Sequence, residues 1–342
     1  MSAPLPTCPN DLPYARTGAI GLAPMEGVID SRTRALLTGL GGFDWGVTEF
    51  VRVTDTRLPG RVFQRFCPEL AHGARTASGV PIHLQLLGSR ADMLGENARV
   101  AAALGATAVD MNFGCPARTV NRHDGGASLL KTPQRVFEAV DGVSRALAGS
   151  GVPVTAKLRL GFDDKTLALE CARAAEDGGA ARLVVHARTR REGYRPPAHW
   201  AWVARIRERA GVPVVVNGDI WTLEAWHSAR EVSGCRDVML GRAALADPWL
   251  AARIRHWQYS GETLPATRWS DRVGVLLDYV AQLGGETGPG VVLSLLKQWL
   301  SIMSQHDSEA AAHFAHLKRI RDLATFLAAL RESREAPQSA TP

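Results

Sequence analysis

Ala108-Val109-Asp110-Met111-Asn112-Phe113-Gly114-Cys115-Pro116 opens as a short apolar run, is closed by a polar residue, and breaks into a Gly/Pro loop. Helical periodicity follows over Thr132–Leu147, and Val152–Leu158 then repeats the apolar run with Lys157 near its end. Strand, helix, strand is the unit of a parallel sheet, because parallel neighbours need a crossover. Working outward, the same run recurs at Ala19–Ala23, Gly46–Glu49, Pro81–Leu87, Leu183–His186, Val212–Val216 and Asp237–Leu240, with helical stretches such as Met93–Leu104 between. Eight such units over about 235 residues predict an α/β fold, a (β/α)8 TIM barrel. A doubly wound sheet is the alternative, and it favours a Gly-x-Gly-x-x-Gly after the first strand, which this sequence lacks.

The residues that close these runs are polar or glycine: Pro24-Met25-Glu26, Glu49, Gln85, Asn112, Lys157, His186, Asn217-Gly218 and Gly241-Arg242. Any one of them is ordinary loop chemistry. In a barrel all of them converge on the carboxyl-end face, where catalytic groups sit.

After about Arg255 the pattern is helical only. Ser270-Asp271 would cap a helix to Leu283, and Val292, Leu295, Leu296, Trp299 and Met303 form an apolar stripe with Lys297 and Gln298 off it. Ser308 opens a third helix reaching about Leu330. The expected organisation is a loose leader over 1–18, a catalytic barrel over 19–255, a small all-α helical bundle domain over 256–335 and a disordered tail over 336–342.

The 342 residues carry 40 Lys+Arg against 34 Asp+Glu, a net charge of +6, which favours a polyanionic partner without requiring one. From His256 onward, however, 8 Lys+Arg face 9 Asp+Glu, so any RNA grip there needs a local patch such as Lys297 with Lys318, Arg319 and Arg321. No apolar run approaches the roughly 20 residues that cross a membrane, and the Pro-rich start lacks the build of a signal peptide. Cys8, Cys67, Cys115, Cys171 and Cys235 are odd in number and widely spaced. They suggest neither a disulfide framework nor a metal site, and a reducing cytoplasm is the expected compartment.

Cys115 stands three residues past Asn112 on a glycine-bounded loop. A thiol of ordinary pKa, about 8.5, is mostly protonated at neutral pH and can act as a general acid. A nucleophilic role would need a depressed pKa and a paired base, and a buried small hydrophobe is the plain alternative. Lys157 would point an ammonium into the barrel mouth unless it snorkels to solvent. The glycine-containing turns Asn217-Gly218-Asp219 and Gly241-Arg242 follow the seventh and eighth strands, where barrels often bind phosphate. Arg188, Arg190, Arg191 and Arg195 with Tyr194 crowd the loop after His186, a pattern that suits a phosphate backbone and an unstacked base.

Together these segments resemble the bacterial tRNA-dihydrouridine synthases. The resemblance is carried by Leu-Ala-Pro-Met-Glu-Gly at 22–27, Leu-Gln-Leu-Leu-Gly ending at Gly88, Asn-Phe-Gly-Cys-Pro at 112–116 and Lys-Leu-Arg-Leu-Gly from Lys157. It continues through Val-Val-His-Ala-Arg-Thr around His186, Asn-Gly-Asp-Ile from Asn217 and Gly-Arg-Ala-Ala-Leu from Gly241, and runs from about Gly21 to Leu300. Thr-Glu-Phe-Val-Arg at 48–52, Gly-Tyr-Arg at 193–195 and Lys-Gln-Trp-Leu at 297–300 are most similar to the C subfamily, which acts on the D-loop uridine at position 16.

The resemblance implies FMN held by Pro24, Met25, Glu26, Gln85, Lys157, Asn217, Gly218, Asp219, Gly241 and Arg242, with His186 as a further cofactor contact. It implies Cys115 as proton donor, Asn112 against the flipped uracil, and Arg52, Tyr194 and Lys297 against tRNA. NADPH would be a transient reductant, hydride would pass from reduced FMN to C6 of the uracil, and Cys115 would protonate C5. The expected partner is the D-loop of tRNA, with no membrane and no metal, and the expected state is a monomer. Two rivals are an FMN barrel acting on a free pyrimidine, like the dihydroorotate dehydrogenases, and a non-catalytic RNA-binding protein on a degenerate flavoenzyme scaffold. The first needs neither the arginine loop nor the helical appendage; the second predicts loss of Cys115 or Lys157, and both are present.

Overall fold

The computed structural model describes residues 18–121, 124–285 and 287–335. The expected leader, apart from Gly18, and the expected tail lie outside them. Eight parallel strands close a barrel in sequence order: β1 (Ile20–Leu22), β2 (Trp45–Arg52), β3 (Ile82–Leu87), β4 (Val109–Phe113), β5 (Val154–Arg159), β6 (Leu183–His186), β7 (Val214–Asn217) and β8 (Asp237–Leu240). Between them run α1 (Ser31–Gly39), α2 (Gly60–Phe66), α3 (Ala91–Ala103), α4 (Arg118–Asn121), α5 (Pro133–Ala146), α6 (Ala168–Asp177), α7 (Trp200–Arg207) and α8 (Leu223–Ser233). The (β/α)8 barrel read from the alternation is therefore the observed one.

Side-chain alternation explains how these short strands fill the barrel and still present chemistry at its mouth. Every second residue faces inward, and Ala23, Trp45, Val47, Val184, Val215 and Met239 pack into one buried cluster. The Arg182 guanidinium lies 4.7 Å from the Trp45 ring. His83 is pushed down to about 3 by burial, with Arg182 adding to the effect, so it stays neutral. The outer layer depends on small residues where helices touch. A Cβ on Gly142 of α5 would come within 2.7 Å of the Ala91 carbonyl oxygen of α3, and one on Gly95 within 2.9 Å of the Gly142 oxygen, so both must be glycine for these helices to pack.

Most strand boundaries shift by a residue or two from the sequence reading, and the shifts in β2 and β5 bear on the site. β2 continues past Glu49 to Arg52 through a register shift between Val47 and Phe50 against β3, so Glu49 sits in an irregularity inside the strand. β5 ends at Arg159, which puts Lys157 two residues inside it.

The chain divides into two compact units, the described parts of Met1–Ser31 with Phe43–Gly241, and of Arg32–Gly42 with Arg242–Pro342. The second unit also holds α9 (Ala243–Ala246), α10 (Leu250–Ser260), α11 (Trp269–Leu283), α12 (Pro289–Met303), α13 (Ser308–Leu317) and α14 (Leu323–Glu335). By compactness, then, α9 and the start of α10 group with the later helices although they lie before residue 256. Its largely aliphatic core is fastened by aromatic contacts: Trp299 donates through Nε1 to the Leu245 oxygen at 2.8 Å, Tyr279 meets Trp299 edge-on at 5.2 Å, and Trp269 stacks on His313 at 4.5 Å. Arg272, nearly buried, pairs with Asp307, the N-cap of α13.

The expected single helix from Ser308 to about Leu330 is two helices. Asp322 accepts from the Thr325 N–H at 2.8 Å and caps a new start, while the Ile320 oxygen is taken by Lys297 Nζ at 2.5 Å. A side-chain acceptor on one side and an alternative donor on the other replace the bonds a continuous helix would make. Among the described residues no helix is long and apolar enough to cross a membrane, and no group of three or more His, Cys, Asp or Glu could hold a metal ion.

Candidate active site

The carboxyl ends of the strands bring the sequence-predicted residues of the first unit together. Asn112 lies beside Lys157 in the β4–β5 register, Arg159 beside His186 across β5–β6, and His186 beside Asn217 across β6–β7. Gln85 is fully buried on β3 and Asn217 nearly so on β7. Pro24 and Met25 are half-buried after β1, where the Met25 oxygen accepts from the N–H groups of Val28 and Ile29. Glu26 is exposed, and the next residue, Gly27, donates its N–H to Glu49 Oε1 at 2.5 Å. Arg242 and Lys297 belong to the second unit, where Lys297 makes the bond to Ile320 already described.

Hydrogen bonds on the β4 loop set the Cys115 geometry. Asn112 Oδ1 accepts from the N–H groups of Gly114 and Cys115, both at 2.9 Å. The Cys115 oxygen accepts from Asn121 Nδ2 at 3.2 Å and from the Ala127 N–H at 3.3 Å. The thiol is half-buried against Phe50, Leu87 and Val120. Burial pushes its pKa up, the Glu26 carboxylate adds to this, and the Ala117 N–H, Arg159 and Arg52 oppose it. The net result is a thiol protonated at neutral pH, which can give a proton and is a poor nucleophile.

Lys157 presents its ammonium on the same face. Its hydrogen-bond acceptor among the described residues is Asn217 Oδ1 at 3.3 Å, and Asn217 is itself oriented by donating to the Met239 oxygen at 2.8 Å. Burial first, then the Arg159 charge, lowers the Lys157 pKa to about 8, with Asp110 opposing. An ammonium with donors to spare, among the amides Gln85, Asn112 and Asn217, could hold the polar edge of a planar heterocycle that turns anionic.

After β7 the backbone turns through Gly218 at φ 114 and Asp219 at φ 55. A Cβ on Gly218 would meet His186 Cδ2 at 2.9 Å, so this turn accepts only glycine. Asp219 binds the fully buried Arg188, and its Oδ2 also accepts from the Ala198 N–H at 2.9 Å. The fit of Arg188 is thus structural, which corrects its place in the arginine cluster offered to RNA: a guanidinium with a carboxylate, the Arg195 oxygen and His186 Nε2 around it has no surface to give. Arg190 lies over the Phe162 ring at 4.9 Å. Arg191, Tyr194 and Arg195 are exposed, with Tyr194 at 50%.

Two contributors carried no assigned role in the sequence. Arg159 donates to Gly114, Thr189 and Gly193 carbonyls at 2.8, 3.1 and 2.8 Å and lies 5.3 Å from the Tyr194 ring, so it joins the Cys115 loop to the β6 loop. Asp110 accepts from Gln85 and Thr155. The signal for both was the two-residue period: Arg159 follows Lys157, and Asp110 precedes Asn112, on the inward face.

Comparison with known proteins follows the same lines. The family model described as dihydrouridine synthase matches residues 21–339. The chain belongs to the dihydrouridine synthase family. As a member it is an oxidoreductase with the barrel described above. It is 47% identical over 303 residues to the tRNA-dihydrouridine(16) synthase of Aquipseudomonas alcaligenes, covering 89% of this chain and 96% of that protein. It is 48% identical over 306 residues to the enzyme of the same name from Ralstonia nicotianae, covering 90% and 93%. Histamine dehydrogenase from Rhizobium sp. 4-9 shares the fold alone, at a TM-score of 0.51 and 16% identity over 70% of this chain and 46% of that one.

Proposed function

We propose that this dihydrouridine synthase reduces the uridine at position 16 of the tRNA D-loop, with Cys115 as proton donor. The carrying observation is the Cys115 thiol, kept protonated by burial on a loop whose N–H groups are fixed by Asn112. The relatives named above are tRNA-dihydrouridine(16) synthases, and the likeness spans nearly their whole length.

The donor set fits FMN. Lys157 keeps spare donors beside three amides, and the turn at Gly218 leaves no room for a side chain next to His186. Gln85, Lys157 and Asn217 would line the flavin's polar edge; Pro24, Met25, Glu26 and His186 would flank the ring; Gly218, Asp219 and Gly241 would hold its phosphate end. Bound FMN, reduced by NADPH, would supply the hydride to C6 of the uracil. The chain's own part is to hold and protonate. Asn112 orients the uracil edge, Cys115 Sγ gives its proton to C5, and the Lys157 ammonium offsets negative charge on the cofactor side. Two hydrogens are added in all, one as hydride and one as proton.

The target base must leave its stack to reach such a pocket. Arg52 and Tyr194, exposed around the mouth, would meet the splayed nucleotide, and Lys297 in the helical domain over 256–335 would add a backbone contact. The enzyme works as a cytoplasmic monomer in this reading. Mapping dihydrouridine across tRNA from cells with and without this chain tests it. The expected result is a loss confined to position 16. Loss at another uridine would overturn the position, and no loss would overturn the substrate.

A further inference from the structure

Asp110 is 1% exposed and sits two residues before Asn112 on the inner face of β4. Its Oδ1 accepts from Thr155 Oγ1 at 2.6 Å and its Oδ2 from Gln85 Nε2 at 2.7 Å. A primary amide is nearly symmetric in shape and opposite in polarity at its two ends. With the Gln85 NH2 turned to the carboxylate, its Oε1 faces outward and accepts from Asn112 Nδ2 at 2.7 Å. Asn112 in turn must present Oδ1 to the N–H groups of Gly114 and Cys115. Four side chains on three strands thus form one directed chain, and its only acceptor-only member is the carboxylate.

We propose that Asp110 is a positioning residue: through Gln85 and Asn112 it sets the direction of the hydrogen bonds that hold the Cys115 loop. Reversing the chain is costly. Gln85 would offer its NH2 to Asn112, Asn112 would answer with its oxygen, and its own NH2 would then face two backbone N–H donors. Burial pushes the Asp110 carboxyl above the usual range, with the Gln85 and Thr155 hydrogen bonds opposing. Protonation leaves the direction intact, because the new hydrogen can go to the Thr155 hydroxyl, which both donates and accepts. Asp110 touches neither substrate nor cofactor in this scheme. The inference rests on the reading of Cys115 as proton donor only for its consequence in catalysis.

A polarity swap tests it. Asn112→Asp keeps acceptors toward Gly114 and Cys115 but sets an oxygen against Gln85 Oε1, and turning Gln85 over only moves the clash to Asp110. Adding Asp110→Asn lets Gln85 turn over with every group paired: Asn NH2 to Gln85 Oε1, and Gln85 NH2 to the new carboxylate. The full-length protein is made with each single change and with both. Alkylation by iodoacetamide is followed at the Cys115 peptide by mass spectrometry, alongside thermal melting. Both proteins with Asn112→Asp carry the same added carboxylate, which by itself slows alkylation, so the relay is read between them: adding Asp110→Asn to Asn112→Asp is expected to slow alkylation about fivefold or more and to raise the melting point, although Asp110→Asn alone lowers it. Effects of the two changes that merely add would overturn the relay, because an Asp110 with a local structural role gives no rescue. Should the parent enzyme form no dihydrouridine while the rescue holds, the catalytic reading fails and the relay stands.

Discussion

Burial keeps the Cys115 thiol protonated, and Cys115→Ala removes the proposed proton donor while leaving every proposed flavin contact in place. Turnover on unmodified tRNA is expected to fall by about 10²–10⁴-fold, the usual worth of a positioned proton donor, with flavin absorbance of the purified protein retained. Lys157, pushed down to about 8 by burial and Arg159, makes the opposite kind of prediction. An anion beside it favours the ammonium, so Lys157→Met should make the midpoint potential of the bound flavin more negative, on the order of 30–60 mV for a lost charged hydrogen bond. In the parent, affinity for reduced flavin should weaken as pH rises through about 8, because above that value the empty site must first take up a proton. A flat profile between pH 7 and 9 would contradict this. The places of Asn112, Lys157 and Cys115 at the barrel mouth were legible because the first two close or nearly close apolar runs and the third stands on the loop just beyond one. Arg159 and Asp110 were not, since what they do depends on partners brought alongside by neighbouring strands. Arg188 was misread for the same reason: the Asp219 carboxylate that buries its charge lies in the loop after β7, 31 residues on.

At the scale of elements, the β6 loop is held together by its own side chains. Glu192 takes Lys165 Nζ at 2.5 Å, His199 Nε2 at 3.0 Å and the Thr189 N–H at 2.7 Å. Burial alone would raise its pKa, but these partners outweigh burial and bring it down to about 2. A carboxyl depressed on folding stabilises above its unfolded value, near 4.5, and that contribution is lost as pH falls from there toward 2. Glu192→Gln should therefore loosen the loop at neutral pH, raising amide exchange across Thr189–Gly193 by roughly tenfold and leaving β6 protected. The same elements mark what the sequence could not convey. β2 looked finished at Glu49, because a polar residue in a strand irregularity resembles a strand end. The α13–α14 break was hidden because a Lys297–Ile320 bond across the bundle leaves no local trace.

The whole molecule was the most legible level, because eight apolar runs at crossover spacing admit few arrangements and most of them close on a polar residue or a glycine. Its net charge of +6 is spread thinly, and the exposed arginines of the β6 loop are a concentrated part of it. Binding of tRNA should weaken with rising salt, and Arg191→Glu with Arg195→Glu should lower both affinity and the salt slope by about one to two counterions, with flavin reduction by NADPH unchanged. An unaltered slope would return that loop to ordinary solvated surface. Reduction of a tRNA uridine shows most directly in the mass of unmodified tRNA after incubation with the purified protein, FMN and NADPH. The expected result is a gain of two hydrogens at a single D-loop uridine, mapped to position 16 after nuclease digestion. NADPH oxidised with flavin turning over, and no mass gained by the tRNA, would contradict it.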